Sequence, residues 1–197
     1  LLCVEYGWDD KPVIYLDTEQ TTEVRVRFAE PDSLTLTHTY PEYGDEGWHV
    51  LAAPDGTLYD MERRVEYYAL FYEGMVHTRF EPAEGFVVRG SESALFLEET
   101  LAYLGFTRRE ANQFIIYWLP LLESNEFNYL RFLTTEWSSL VPLDVTPAPD
   151  TQLRLLMVHA PVDEGFSCPP QVLTPFERQG FTLVEWGGRS LKEPLLR

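Results

Sequence analysis

The chain has 197 residues, of which 45% are hydrophobic, so it can bury a sizeable core without a stabilising cross-link. Its 32 acidic residues outnumber its 15 basic residues and give a formal net charge of −17. Such a negative field repels phosphate backbones and anionic lipid headgroups, which argues against nucleic acids and membrane surfaces as direct partners.

The first ninety residues predict a series of β-strands. Residues 21–29 alternate between apolar and polar side chains, as a strand with one solvent-facing side does. A second alternating run at 34–39 follows a short turn, so we expect a hairpin over 21–39. The run at 64–73 carries apolar groups on both faces and predicts a strand that is covered on both sides. Further strands are predicted at 12–16, 47–53, 57–60 and 85–89, with a tight turn at Asp55-Gly56.

After residue 90 the hydrophobic period changes from two to about 3.6, which predicts two helices. The first helix is expected to end at Gly105, a residue type that commonly terminates helices. The second is expected to begin at a capping box formed by Thr107 and Glu110 and to continue to residue 122. Together they predict an αα-hairpin over about 91–123.

Strand patterns return after the helices, over 127–134, 140–145, 153–159 and 181–186, and Gly187-Gly188 is expected to end the last one. This order predicts an α+β fold of mostly antiparallel strands, with a sandwich-like N-terminal part. We expect a single domain over residues 1–197. Within it, residues 11–90 would form the sandwich-like part, and residues 91–188 would add the helical hairpin and a second sheet.

Several short blocks are distinctive: KPVIYL at 11–16, YPEY at 40–43, GWHV at 47–50, PDGTL at 54–58 and YWLP at 117–120. They resemble an uncharacterised family of bacterial proteins that is typical of Gram-positive and gut bacteria. The chain departs from the family at Asp17-Thr18, where Tyr-Pro is expected. The resemblance implies no established activity and no functional residue. It does imply an extracytoplasmic or cell-envelope location.

One candidate metal site lies in the acidic loop that contains Glu42, Asp45 and Glu46. Three carboxylates in a short loop offer the oxygen ligands that Ca²⁺ prefers, although their spacing does not match an EF-hand. The alternative is a solvated acidic loop without a metal. We predict no other cofactor.

Aromatic residues surround this loop and define a candidate ligand site. Tyr43, Trp48, His49, Tyr68 and Tyr72 can form a groove in which a small molecule, a glycan or a protein segment stacks on ring faces. The alternative is that these residues pack in the core or on a half-buried sheet face, because aromatic residues favour strands.

No nucleophile elbow or phosphate-binding loop occurs in the sequence. The predicted function is therefore a non-catalytic, extracytoplasmic binding or structural module of a bacterial envelope. The alternative is a hydrolase, for example one that acts on carbohydrates. It would use a pair of carboxylates among Glu42, Glu66 and Glu73. The two cysteines, Cys3 and Cys168, can form a disulfide or remain free.

Overall fold

The structure is a computed structural model that describes residues 7–76 and 83–191. Two β-sheets pack face to face, and a pair of helices covers the outer face of the larger sheet. The layers are therefore small sheet, large sheet and helices. This arrangement confirms the predicted α+β fold with mostly antiparallel strands and an αα-hairpin.

Strands are numbered in chain order. From edge to edge, the larger sheet of the described residues contains β3 (Leu34–Tyr40), β7 (Leu70–Val76), β1 (Gly7–Asp17), β12 (Thr182–Ser190), β11 (Thr151–Val162), β9 (Phe127–Leu133) and β8 (Phe86–Arg89). The smaller sheet contains β10 (Leu143–Thr146), β2 (Thr22–Phe28), β4 (Trp48–Ala52), β5 (Leu58–Asp60) and β6 (Glu66–Tyr67). Strands β11 and β12 run parallel, and the other neighbouring strands pair antiparallel. Each sheet thus combines strands from the first and the second half of the chain.

The described helices are α1 (Ser93–Leu104), α2 (Arg108–Glu123) and the short α3 (Thr135–Leu140). The predicted capping box is confirmed at the start of α2. The Glu110 amide donates to Thr107 Oγ1 at 3.3 Å, and the Thr107 amide donates to Glu110 Oε2 at 2.7 Å. Gly105 ends α1 with a φ of 100°, a left-handed conformation that favours glycine. Within the described residues, no helix has the length and apolar character needed to span a membrane.

Two cores lie on opposite faces of the larger sheet. The first lies between the sheets and includes Val26, Tyr72 and Trp137. The second lies between the larger sheet and the helical hairpin and includes Leu101 and Trp118. Because side chains alternate along a strand, β11 and β12 contribute to both cores.

The predicted hairpin over 21–39 is wrong, because its two strands belong to different sheets. Strand β2 pairs with β4 and β10 in the smaller sheet, whereas β3 pairs with β7 in the larger sheet. A single 3₁₀ turn at Pro31–Ser33 carries the chain from one sheet to the other. The alternation is real on both strands, but their apolar sides meet across the sandwich and not side by side in one sheet.

The prediction of one strand over 64–73 is also wrong. Arg64 has a φ of 58°, which is incompatible with extended backbone, and the chain then forms β6 in the smaller sheet and β7 in the larger sheet. The segment between these strands, which contains Tyr68, crosses from one layer to the other. The apolar residues predicted as two faces of one strand therefore belong to two strands in different sheets.

Two later strands have different bounds from those predicted. The first part of the predicted strand at 140–145 belongs to the end of α3, and β10 begins only at Leu143. The glycines at 187–188 do not end the last strand, because β12 continues through them to Ser190. They are required by close packing: a Cβ at residue 188 would lie 2.6 Å from Cη2 of the Trp118 indole.

Candidate functional site

Most of the predicted aromatic site lies in the core between the two sheets. Trp48 is 2% exposed and Tyr72 is fully buried. Their rings pack with those of Phe28 and Tyr43, with centroids 4.8 to 6.5 Å apart. The Tyr43 hydroxyl accepts a hydrogen bond from the Phe28 amide at 3.0 Å. This cluster stabilises the sandwich, and the faces of its two buried rings are not open to a ligand.

His49 and Tyr68 lie apart from this cluster. His49 Nε2 lies 2.6 Å from Glu23 Oε1 on the neighbouring strand. Tyr68 lies in the segment between β6 and β7 and is 67% exposed. Of the five predicted ligand-binding residues, Tyr68 therefore presents the largest accessible ring.

The acidic loop makes contacts with arginines. Glu42 Oε2 accepts a hydrogen bond from Arg63 at 3.0 Å, and Glu46 Oε2 lies 3.5 Å from Arg27 Nη1. Asp45 is exposed. In the part of the chain that the structure describes, no three His, Cys, Asp or Glu side chains are grouped so that they could hold a metal ion. The calcium site stays a prediction, and two of its three carboxylates already have an arginine partner.

The carboxylates proposed for hydrolysis lie on different elements. Glu66 is exposed on β6 at an edge of the smaller sheet, whereas Glu73 lies on β7 of the larger sheet, 3.4 Å from His38. Cys168 is a free, half-buried thiol, and burial raises its pKa. The alternative of a disulfide depends on Cys3, which lies outside the described residues.

A fully buried ion pair lies between the two sheets, where sequence reasoning placed no functional group. Arg154 Nε and the Tyr72 hydroxyl both donate to the Glu185 carboxylate, and Trp137 Nε1 donates to it at 3.2 Å. Arg154 Nη1 also donates to the Val141 carbonyl at 2.7 Å. Burial lowers the pKa of Arg154, but the adjacent carboxylate outweighs burial and raises it, so the guanidinium remains charged. The network is inaccessible to a substrate and serves the fold.

A cleft of about 250 Å³ opens between the end of β1, the turn that joins β4 to β5, and the first turn of α2. Its lining includes Tyr15, Tyr68, Arg109, Glu110 and Gln113. The capping box fixes the first turn of α2, and Tyr68, in the segment that crosses between the sheets, lines the same cleft. We name this site the Tyr68 cleft.

One arginine fixes two carboxylates at this cleft. Arg178 donates to Asp17 Oδ2 at 2.9 Å and to both carboxylate oxygens of Glu110, at 2.9 and 3.2 Å. It also lies 3.4 Å from the Gly105 carbonyl, where α1 ends. Glu110 therefore completes the capping box and binds Arg178 at the same time, so its carboxylate has a fixed position.

The phenol of Tyr15 adds a neutral polar group to the cleft. Burial raises the pKa of Tyr15 well above its ordinary value, so the hydroxyl keeps its proton at physiological pH. Arg109 supplies a positive charge that is exposed to solvent, and Gln113 supplies an amide. The cleft can therefore offer hydrogen-bond donors and acceptors beside the ring of Tyr68.

Sequence reasoning found Tyr68 and Glu110 but not the cleft. Tyr68 is predicted as a ligand-binding residue because it is aromatic, whereas Glu110 is predicted only as part of the capping box with Thr107. Arg178 and Asp17 are 161 residues apart in the chain, and no local pattern connects them.

No protein-family model matches the chain, and neither a curated protein nor a solved structure matches it.

Proposed function

We propose that the protein is a non-catalytic binding module that holds one sugar unit of a glycan in the Tyr68 cleft. The observation that carries the proposal is an exposed aromatic ring beside a small cleft lined by polar groups. A pyranose presents an apolar face to such a ring and hydroxyl groups to the polar side chains around it.

The contacts of Arg178 support binding and not hydrolysis. Glycosidases of the common kind use two carboxylates that can accept and donate protons or attack the sugar. Asp17 and Glu110 both accept hydrogen bonds from the Arg178 guanidinium, which holds the two carboxylates in fixed positions and occupies their oxygens. The raised pKa of Tyr15 also keeps its phenol protonated at neutral pH, so no phenolate is available as a general base. These groups are suited to positioning hydroxyls.

A glycan array tests this function, with the purified full chain as the probe. We expect binding to a restricted set of glycans, and a loss of about tenfold in affinity for Tyr68→Ala because the ring supplies the stacking surface. Tyr103→Ala is the matched control, since Tyr103 is 55% exposed on α1 and does not line the cleft. Gln113→Ala should weaken binding without changing the fold, because Gln113 is only half-buried and is not part of the core beneath α2.

Two results would overturn the proposal. Binding that is equal for Tyr68→Ala and the unaltered chain, or the absence of any bound glycan, would mean that the cleft is not a glycan site. Release of shorter sugars from a bound glycan would make the protein a hydrolase and contradict the non-catalytic assignment.

The same proposal includes an extracytoplasmic location in a bacterial envelope, and it rests on the family resemblance given above. Fractionation of a bacterium that carries the gene, followed by detection with an antibody, tests it. We expect the protein in the envelope or the medium. Recovery in the cytosolic fraction alone would contradict this location and leave the glycan-binding proposal intact.

A further inference from the structure

Strand β8 forms one edge of the larger sheet, and half of its backbone groups point away from the sheet. The Gly90 amide donates to the Glu126 carbonyl at 2.9 Å, in register with the β8–β9 pairing. Hydrogen-bonded and non-hydrogen-bonded pairs alternate in an antiparallel ladder, so Phe86 and Val88 also bond to β9. Val87 and Arg89 must therefore direct their N–H and C=O groups outward.

The chain itself shows that this edge accepts a further strand. Gly85 has the same outward orientation as Val87, and it donates to the Pro169 carbonyl at 2.9 Å and accepts from the Gln171 amide at 3.2 Å. The added segment then leaves the edge. The Gln171 side chain bonds to the backbone of Phe132, at 2.9 and 2.7 Å, and Val172 is 86% exposed.

The edge beyond Gly85 is consequently open. Within residues 7–76 and 83–191, the outward N–H and C=O of Val87 and the N–H of Arg89 have no hydrogen-bond partner, whereas the Arg89 carbonyl accepts a hydrogen bond from Ser93 Oγ at 3.5 Å. Unpaired backbone donors and acceptors at a sheet edge are a template for another extended segment. Val87 is 38% exposed, so its side chain does not block approach.

A groove of about 350 Å³ lies between this edge and α1. Its apolar lining includes Val87, Leu95 and Phe96, and Leu95 is 61% exposed. The Phe96 ring packs with neighbouring aromatic rings on its inner side, with centroids 5.2 and 6.2 Å away, which gives the groove a rigid floor. We name this site the β8–α1 groove.

Two carboxylates give the β8–α1 groove a negative rim. Glu92 and Glu99 both line it and are exposed. Arg89, the nearby positive charge on β8, lies with its guanidinium carbon 4.5 Å from the centroid of the Phe127 ring. An occupant with Lys or Arg side chains would complement the two glutamates.

We propose that an extended segment of another protein, with alternating apolar and basic residues, adds to the larger sheet along β8. Its backbone would bond to the N–H and C=O of Val87 and to the N–H of Arg89. Its apolar side chains would pack on Leu95 and Phe96, and its basic side chains would face the glutamates. Backbone pairing supplies affinity in this mode of recognition, and the groove supplies specificity. A second copy fits poorly, since it brings the same negative rim and a net charge of −17.

The test is selection from a phage-displayed library of random ten-residue peptides on the purified full chain. We expect enrichment of peptides in which apolar residues alternate with Lys or Arg. Val87→Pro removes an outward N–H without removing a bond to β9, and it should lower the affinity of an enriched peptide about tenfold. Circular dichroism checks that this variant keeps its fold.

A second pair of variants keeps the test informative if Val87→Pro fails to fold. Glu92→Gln with Glu99→Gln should weaken the enriched peptide about fivefold at low salt. Glu164→Gln with Glu177→Gln is the control of equal net charge, because both residues are exposed and lie outside the groove. We expect no change in this control.

The proposal would be overturned by the absence of any enriched peptide, by enriched peptides without the alternating pattern, or by equal weakening by the two glutamate pairs. Light scattering that shows a dimer of the chain, dissociated by Val87→Pro, would identify a second copy as the occupant and also overturn it. Glycan binding through the Tyr68 cleft does not depend on any of these results.

Discussion

The two faces of the β11–β12 strand pair differ in how they bury polar side chains. On the face toward the smaller sheet, Arg154 and Glu185 are fully buried as an ion pair with hydrogen bonds from Tyr72 and Trp137. On the face toward the helices, His159 is 6% exposed, and neither ring nitrogen has a hydrogen-bond partner within the described residues. One face keeps two charges, and the other keeps a neutral ring.

The difference follows from the neighbours that each face provides. A buried charge is tolerated only with a partner of opposite charge and further hydrogen bonds, which the first face supplies. His159 packs against the Trp118 ring, with centroids 5.3 Å apart, and receives no such compensation. Burial therefore lowers the pKa of His159 to about 4 and keeps it uncharged at neutral pH.

The largest expected effect comes from breaking the buried ion pair. Glu185→Gln leaves the Arg154 charge without a partner in the core, so the free energy of unfolding should fall by about 3–5 kcal/mol. The double variant Arg154→Met with Glu185→Gln removes both charges and should recover part of this loss. Urea unfolding followed by circular dichroism measures these changes and the change caused by Arg154→Met alone. If the double variant loses as much free energy of unfolding as the two single variants together, the two charges do not interact, and their pairing does not explain the loss.

The second-largest expected effect is a pH dependence of stability, which comes from His159 on the face toward the helices. Between about pH 6.5 and 4 the unfolded chain binds a proton at His159 that the folded protein does not bind, because the folded pKa is about 4. This difference should lower the free energy of unfolding by about 3 kcal/mol as the pH falls through that range.

His159→Leu isolates this contribution, since other groups titrate equally in both proteins. We expect the variant to lose less stability than the unaltered chain between pH 7 and 4, in urea unfolding measured at several pH values. Parallel pH profiles for the two proteins would mean that His159 takes up its proton in the folded state as readily as in the unfolded state.

The helices and one turn could be predicted from the sequence because their signals are local. Thr107 and Glu110 lie three residues apart, and Asp55-Gly56 forms the turn between the paired strands β4 and β5. The membership of strands in sheets could not be predicted in this way. Alternation over 21–39 is the same whether two strands pair side by side or face each other across a sandwich.

The candidate sites show the same limit. Tyr68 could be selected because it is aromatic, but the same criterion selected Trp48 and Tyr72, which are buried. Only the tertiary structure distinguishes a ring in the core from a ring beside a cleft. The pairing of Arg154 with Glu185 depends on the parallel register of β11 and β12, which sequence alternation does not specify.

The smallest expected effect comes from a substitution at Gly188, which tests how tightly the helices pack on the face that holds His159. Gly188 lies under Trp118, and a Cβ at residue 188 would lie 2.6 Å from Cη2 of the indole ring. Gly188→Ala should therefore lower the free energy of unfolding by about 2 kcal/mol, because a rigid strand and a buried ring must move apart. Urea unfolding measures this change.

A double-mutant cycle with Trp118→Phe shows whether that contact is the cause. The smaller ring leaves room for the new methyl group, so Gly188→Ala should cost less in the Trp118→Phe background than in the unaltered chain. Equal costs in both backgrounds would place the strain elsewhere, for example in the backbone of β12. A smaller cost in the variant background would confirm that this face is close-packed around Trp118, the ring that also packs against His159.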